Sequence, residues 1–151
     1  MRMRPLLSFQ CIVVSPYCHA QVMKHGSYFV EFEILKIPGL LILGLGRPGL
    51  HTGVSAYNSA EFWGVSGNNG AFLHAGGSVR WAGQEGFCAC DVIGLHLDCE
   101  RGRLAIVKNG RQLGVPVAAG LCGELCWAVV MGKEGASVKM RRPKGGAPAC
   151  V

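Results

Sequence analysis

The 151-residue chain is half apolar, with 16% charged residues and a formal charge of +6, which excludes the low-hydrophobicity, high-charge regime of intrinsic disorder. Its 23 glycines show no three-residue period, so collagen is excluded. In that number they also weigh against a helical bundle, since each costs about 1 kcal/mol in a helix interior.

Residues 1–10 read as a tail. Arg2 and Arg4 precede an apolar stretch, but Ser8, Gln10 and the Cys18-His19-Ala20 run make a poor cleavable leader, so secretion is not expected. No run reaches the ~18 apolar residues of a membrane helix. From there the dominant period is two. In residues 28–35, Tyr28, Val30, Phe32 and Ile34 share one face, and Phe29, Glu31, Glu33 and Leu35 the other. Pro38-Gly39 turns the chain into residues 40–46, an apolar strand expected to be buried on both faces, and a polar loop follows over 47–61. Residues 62–65 and 71–74 flank Gly67-Asn68-Asn69-Gly70, a hairpin turn.

The strand over 91–98 directs Ile93, Leu95 and Leu97 inward and leaves His96 half-exposed on the other face. Residues 104–108 and 111–114 flank Asn109-Gly110, the pair best suited to the positive-φ positions of a type I′ hairpin. Strands over 127–131 and 136–140 complete the set. Turn signals at this spacing indicate one antiparallel sandwich or barrel. Its expected core is Val30, Phe32, Ile34, Leu41, Leu43, Ile93, Leu95, Leu97, Leu104, Ile106, Val129 and Val138.

These residues also resemble a family. Residues 26–34 (GSYFVEFEI) are similar to the first signature strand of the SPRY domain, and 63–70 (WGVSGNNG) to its middle turn. Residues 90–98 (CDVIGLHLD), 102–110 (GRLAIVKNG) and Leu113-Gly114 are similar to its second half. The series Asp-Val-Ile-Gly, Leu-Asp, Lys-Asn-Gly and Leu-Gly, in order, carries the likeness. Where the family usually has Gly before the strand Asp, this chain has Cys90, read as an apolar core replacement; Ile106 stands where an aromatic is common. The resemblance implies a concanavalin A-like, jelly-roll β-sandwich over residues 11–141 as a single domain, with tails at 1–10 and 142–151. It also implies a non-enzymatic module that captures a protein or short peptide, in some members as the substrate-recognition part of a ubiquitin ligase or as a signalling adaptor.

Competing chemistries are weak. Gly44-Leu45-Gly46-Arg47-Pro48-Gly49 matches a dinucleotide-binding pattern, but Pro48, Gly49 and Gly53 interrupt the helix that such a site requires. Glu31 and Glu33 share a strand face, which makes a carbohydrate-binding or glycoside-hydrolysing lectin-like sandwich the alternative reading. The five His lack metal spacing and no catalytic residue is nominated. The eight Cys do not form zinc-type pairs, so free thiols in a reducing, cytoplasmic setting are expected, with no metal and no cofactor. Arg2, Arg4, Lys139, Arg141, Arg142 and Lys144 place much of the positive charge at the ends, which reads as solvated tails; nucleic acid is not the expected partner, and the chain is expected to be a monomer. Partner binding is assigned to loops on the rigid sandwich: Arg47, His51, Tyr57 and Asn58; Asn68 and Asn69; Arg80 and Trp81. Trp and Arg are common interface anchors; the other reading of Trp81 is a ring folded back on the sandwich edge.

Overall fold

The computed structural model describes residues 2–3, 10–13, 22–37, 39–50, 56–132 and 137–141. Among these residues, twelve strands form two antiparallel six-stranded sheets. The first orders β1 (Arg2–Met3), β12 (Ser137–Arg141), β3 (Ser27–Lys36), β8 (Val92–Asp98), β9 (Arg103–Lys108) and β10 (Arg111–Val117). The second orders β2 (Gln10–Val13), β11 (Cys126–Met131), β4 (Leu41–Gly46), β5 (Phe62–Ser66), β6 (Phe72–His74) and β7 (Gly77–Val79). A single 3₁₀ turn, Ala56–Asn58, is the one helical element among the described residues. The segment expected as a tail, 1–10, thus supplies β1 and the first residue of β2.

Alternation builds the main core. Tyr28, Val30 and Phe32 of β3 pair with Leu97, Leu95 and Ile93 of β8, Ile34 pairs with Val138 of β12, and Leu104 and Ile106 of β9 extend the layer. Leu41, Leu43 and Leu45 of β4, Val65 of β5 and Trp127, Val129 and Met131 of β11 face them from the second sheet. All the core residues expected from the sequence are buried there. Each large side chain moved from water into this layer contributes roughly 1.5–3 kcal/mol, so a one-residue slip of any central strand would expose its whole apolar set.

β4 is buried on both faces, as its composition requires. Behind it a second cluster joins Ile42, Leu50, Phe62, Ala128 and Val130, with Tyr57 and Leu73 packed on. Gly44 makes this closeness possible: a Cβ there would sit 1.9 Å from the Trp63 carbonyl oxygen. The glycine pattern of residues 44–49 therefore serves strand packing up to Gly46 and a turn at Pro48–Gly49.

Two expectations need correction. His96 is buried, at 5% exposure, because the Phe29 ring from the neighbouring strand packs edge-on against it at 6.2 Å. Burial lowers its pKa, and the Arg103 charge adds to that against the opposing pull of Asp98. Cys90 lies in no core. It is exposed, with φ of 73°. Its N–H donates to Ile34 O (2.7 Å) and the Ile34 N–H donates to Asp91 O (2.9 Å). That is the hydrogen-bond pattern of a G1 β-bulge, whose first residue is left-handed and ordinarily glycine.

Candidate functional site

Strand direction sorts the loops onto two ends of the sandwich. Leu41 of β4 pairs with Met131, and Ile42 with Ser66; Gly46 pairs with Cys126 and Phe62. Residues 37, 39–40, 67–71, 80–91 and 109–110 therefore gather at one end, and 47–50, 56–61, 75–76, 99–102 and 118–125 at the other. Six residues of strand separate the two by ~17 Å. The eight candidate residues consequently do not make one surface. Arg47, Tyr57 and Asn58 lie at the second end, Asn68, Asn69, Arg80 and Trp81 at the first, and His51 lies outside the described residues.

At the second end Arg47 is engaged internally. Its guanidinium lies 4.9 Å above the Trp63 ring. It donates to the carbonyls of Cys122 and Glu124 and pairs with Glu61 at 3.5 Å. The charge-assisted bonds to two carbonyls hold residues 122–124 against the end of β4, so Arg47 acts as a fastener. Tyr57 is half-buried on the second cluster. Asn58 is exposed. Beside them the Trp63 and His74 rings stack at 4.8 Å and 10°, and the His74 ring neighbours that of Phe72 at 6.4 Å. The β5–β6 register, in which Trp63 pairs with His74, is what brings these rings together.

At the first end, segment 80–87 lies against the turn 67–70. The Trp81 indole N–H donates to Gly70 O (2.6 Å), and the Trp81 backbone N–H to Gln84 Oε1 (3.2 Å). Gln84 Nε2 donates to Asn69 O (2.9 Å), and the Phe87 N–H to Gly67 O (2.7 Å). The approach is so close that a Cβ at position 70 would lie 2.2 Å from the Glu85 carbonyl oxygen. Trp81 is thus the folded-back ring, half-buried and packed on the core. Asn68, Asn69 and Arg80 remain exposed. Asn69 Oδ1 accepts from the Ala71 N–H (2.9 Å), which shapes the turn. Next to it opens a cavity of about 470 Å³, with Ile37, Leu40 and Phe87 among its walls and Asn68 at its rim.

A charged network the sequence did not announce braces this end. Lys108 Nζ donates to Gly86 O (2.9 Å) and to Glu85 Oε1 (3.3 Å), and lies 3.8 Å from Asp91 Oδ2. Arg111 meets Glu85 at 2.7 Å. Asn109 Nδ2 donates to Asp91 Oδ1 (3.0 Å), while Asn109 Oδ1 accepts from the Val92 N–H (2.8 Å). Burial pushes the Asp91 carboxyl up, but hydrogen bonds from Asn109 and the Cys88 N–H, with the Lys108 charge, outweigh it and hold the carboxyl below its usual value. Hydrogen bonds from Arg111 and then Lys108 lower Glu85 as well.

The remaining candidates are accounted for structurally. Glu31 and Glu33 flank Arg141, at 3.5 and 3.9 Å, so Arg141 is part of a sheet face rather than a tail. Among the described residues no His, Cys, Asp or Glu cluster of three or more could hold a metal. No helix among them is long and apolar enough to cross a membrane.

Comparison with known proteins places this architecture. The crystal structure of the SPRY domain of human HERC1 resembles it with a TM-score of 0.69 at 21% identity, covering 80% of this chain and 77% of that one. No curated protein matches the sequence. The SPRY domain family model matches residues 27–145, a span that takes in every strand from β3 to β12, and the chain therefore belongs to the SPRY family, whose members are generally protein-interaction modules.

Proposed function

We propose that this SPRY domain is a non-catalytic interaction module that captures a short peptide or protein segment at the first end, across the cavity edged by Asn68 with Asn69 and Arg80 beside it. One observation carries the reading: a cavity with Ile37, Leu40 and Phe87 in its lining and the exposed Asn68 at its edge sits on a scaffold that its own hydrogen bonds already fix, at the end that also carries Asn69 and Arg80. A preformed, rigid site avoids the ordering cost of binding. Arg47, at the far end, is occupied by its own fold and serves here as support. The same reading makes the domain a monomeric recognition or adaptor unit, as in ubiquitin-ligase substrate capture, with no nucleic-acid ligand. The free thiols of Cys88, Cys90, Cys99 and Cys122 suit a reducing cytoplasmic setting.

The test is selection of a random peptide library on the intact chain, followed by titration of the enriched peptide. Arg80→Glu and Asn68→Asp should each weaken it about tenfold or more, equivalent to ~1.4 kcal/mol, and Asn58→Ala at the opposite end should leave it unchanged. Loss with Asn58→Ala alone would move the site to the other end. Failure to enrich any peptide would remove the peptide-capture reading.

A further inference from the structure

We infer that Cys88 and Cys90 form an exposed vicinal dithiol, a modification site that a low-molecular-weight disulfide oxidises to an intra-turn Cys88–Cys90 bond. The described thiols differ sharply in environment. Cys126 is buried and Cys99 half-buried, and burial, followed by the neighbouring Glu100 and Asp98 charges, raises the Cys99 thiol pKa. Cys88, Cys90 and Cys122 are exposed, and only the first two are neighbours. They are one residue apart in a turn closed by the Asp91 N–H donating to Cys88 O (3.1 Å).

The turn supplies the geometry that an extended strand would deny. Two virtual Cα steps of ~3.8 Å reach at most ~7 Å, and bending at a turn shortens this into the ~4.4–6.8 Å range that disulfides span. Cys90 has φ of 73° at the bulge position, where glycine is free of penalty and any other residue pays roughly 1–2 kcal/mol. A side chain kept at that cost beside a second exposed thiol is what motivates the assignment.

The chemistry balances with glutathione disulfide as the oxidant. One protein thiolate attacks a sulfur of the oxidant, the oxidant's S–S bond breaks, and one glutathione leaves as thiolate and takes up a proton. The second protein thiolate then attacks the protein sulfur of this mixed disulfide. The intramolecular S–S bond forms and the second glutathione departs. Two protein thiols have given up two electrons and two protons, and the oxidant is reduced to two thiols.

The experiment incubates the intact, reduced chain with glutathione disulfide, quenches by acid and maps the peptides by mass. The peptide containing residues 88–90 should lose two hydrogens without retaining glutathione, while Cys122, with no exposed thiol next to it in sequence among the described residues, should retain it. In Cys90→Gly, which also relieves the bulge, Cys88 should keep the glutathione adduct that the wild type sheds. Stable adducts on Cys88 or Cys90 in the wild type, a bond from either to another cysteine, or a peptide that stays reduced while Cys122 reacts would each overturn the inference.

Discussion

The β5–β6–β7 and β8–β9–β10 meanders share a topology. Each is three antiparallel strands in sequence order, and each ends at the edge of its sheet. Their two-residue hairpins also share a backbone: Ala75 and Gly76 at φ of 51° and 80°, Asn109 and Gly110 at 52° and 79°. They differ in what the side chains add. β8 and β9 are buried along most of their length, and Lys108, Asn109 and Asp91 interlock at their turn. β7 is exposed throughout, with Val79 at 59%. The outer edge of β10 is covered as well, since a Cβ at Gly83 would come within 1.8 Å of Leu113 O. The same turn geometry thus closes both hairpins, while burial and polar bracing separate a firm meander from a thin one.

The largest effect should come from the residue that ties the two together. Trp81 follows β7, and its ring packs beside Gly114 of β10 while donating to Gly70 O. Trp81→Ala removes that packing and leaves the Gly70 carbonyl without its donor, a cost of about 3 kcal/mol. Urea unfolding should show the midpoint falling at constant slope, whereas Val79→Ala on the exposed strand should change stability by less than ~0.5 kcal/mol. An unchanged midpoint for Trp81→Ala would mean that the two meanders are not coupled through this ring. For the same reason Trp81 variants are poor probes of binding, and Arg80 and Asn68 are the ones to use.

Lys108→Met comes next. The side chain is only 16% exposed and its ammonium serves the Gly86 carbonyl, Glu85 and Asp91. Removing it should cost about 2 kcal/mol near neutral pH. The gap should depend on pH with a definite sign. Asp91 is held below its usual carboxylate pKa in the folded state, so its contribution is present above the unfolded value and is lost as pH falls through the folded one. Stability curves for wild type and Lys108→Met should therefore converge in acid. Parallel curves down to the acid limit would show that Asp91 draws nothing from Lys108.

Most of the firm meander was legible in the sequence, and much of the thin one was not, for physical reasons. Leu95, Leu97, Leu104 and Ile106 alternate and Asn109-Gly110 names its own turn, so local pattern and global fold agree. β7 is Gly77-Ser78-Val79, too short for a period and buried on neither face, so nothing in its composition reports the pairing of Phe72 with Val79. The split of the candidate site is invisible for another reason: loop composition marks Arg47 and Asn68 alike as exposed polar positions, and only strand direction assigns them to opposite ends. Arg47 finds its carbonyl partners 75 and 77 residues away. His96 fails similarly, since its burial depends on Phe29 from the next strand. At Cys90 the family pattern held the clue, because a habitual glycine marks left-handed backbone rather than a small core residue.

The smallest effect sharpens the comparison most directly, because it exchanges one residue between the two turns. Ala75 adopts a left-handed conformation that alanine disfavours by roughly 1–2 kcal/mol and asparagine tolerates better. It is exposed, so an asparagine side chain there meets no crowding. Ala75→Asn should stabilise the chain by ~0.5 kcal/mol, consistent with the preference of type I′ turns for Asn-Gly. The reciprocal Asn109→Ala should cost distinctly more than that gain, about 1–2 kcal/mol, because Asn109 also bonds Asp91 and the Val92 N–H. If the two changes proved equal and opposite, the side-chain bonds of Asn109 would contribute nothing and backbone preference alone would distinguish the turns. An asymmetry in the expected direction assigns the excess to the bracing around Asp91, the feature the thin meander lacks.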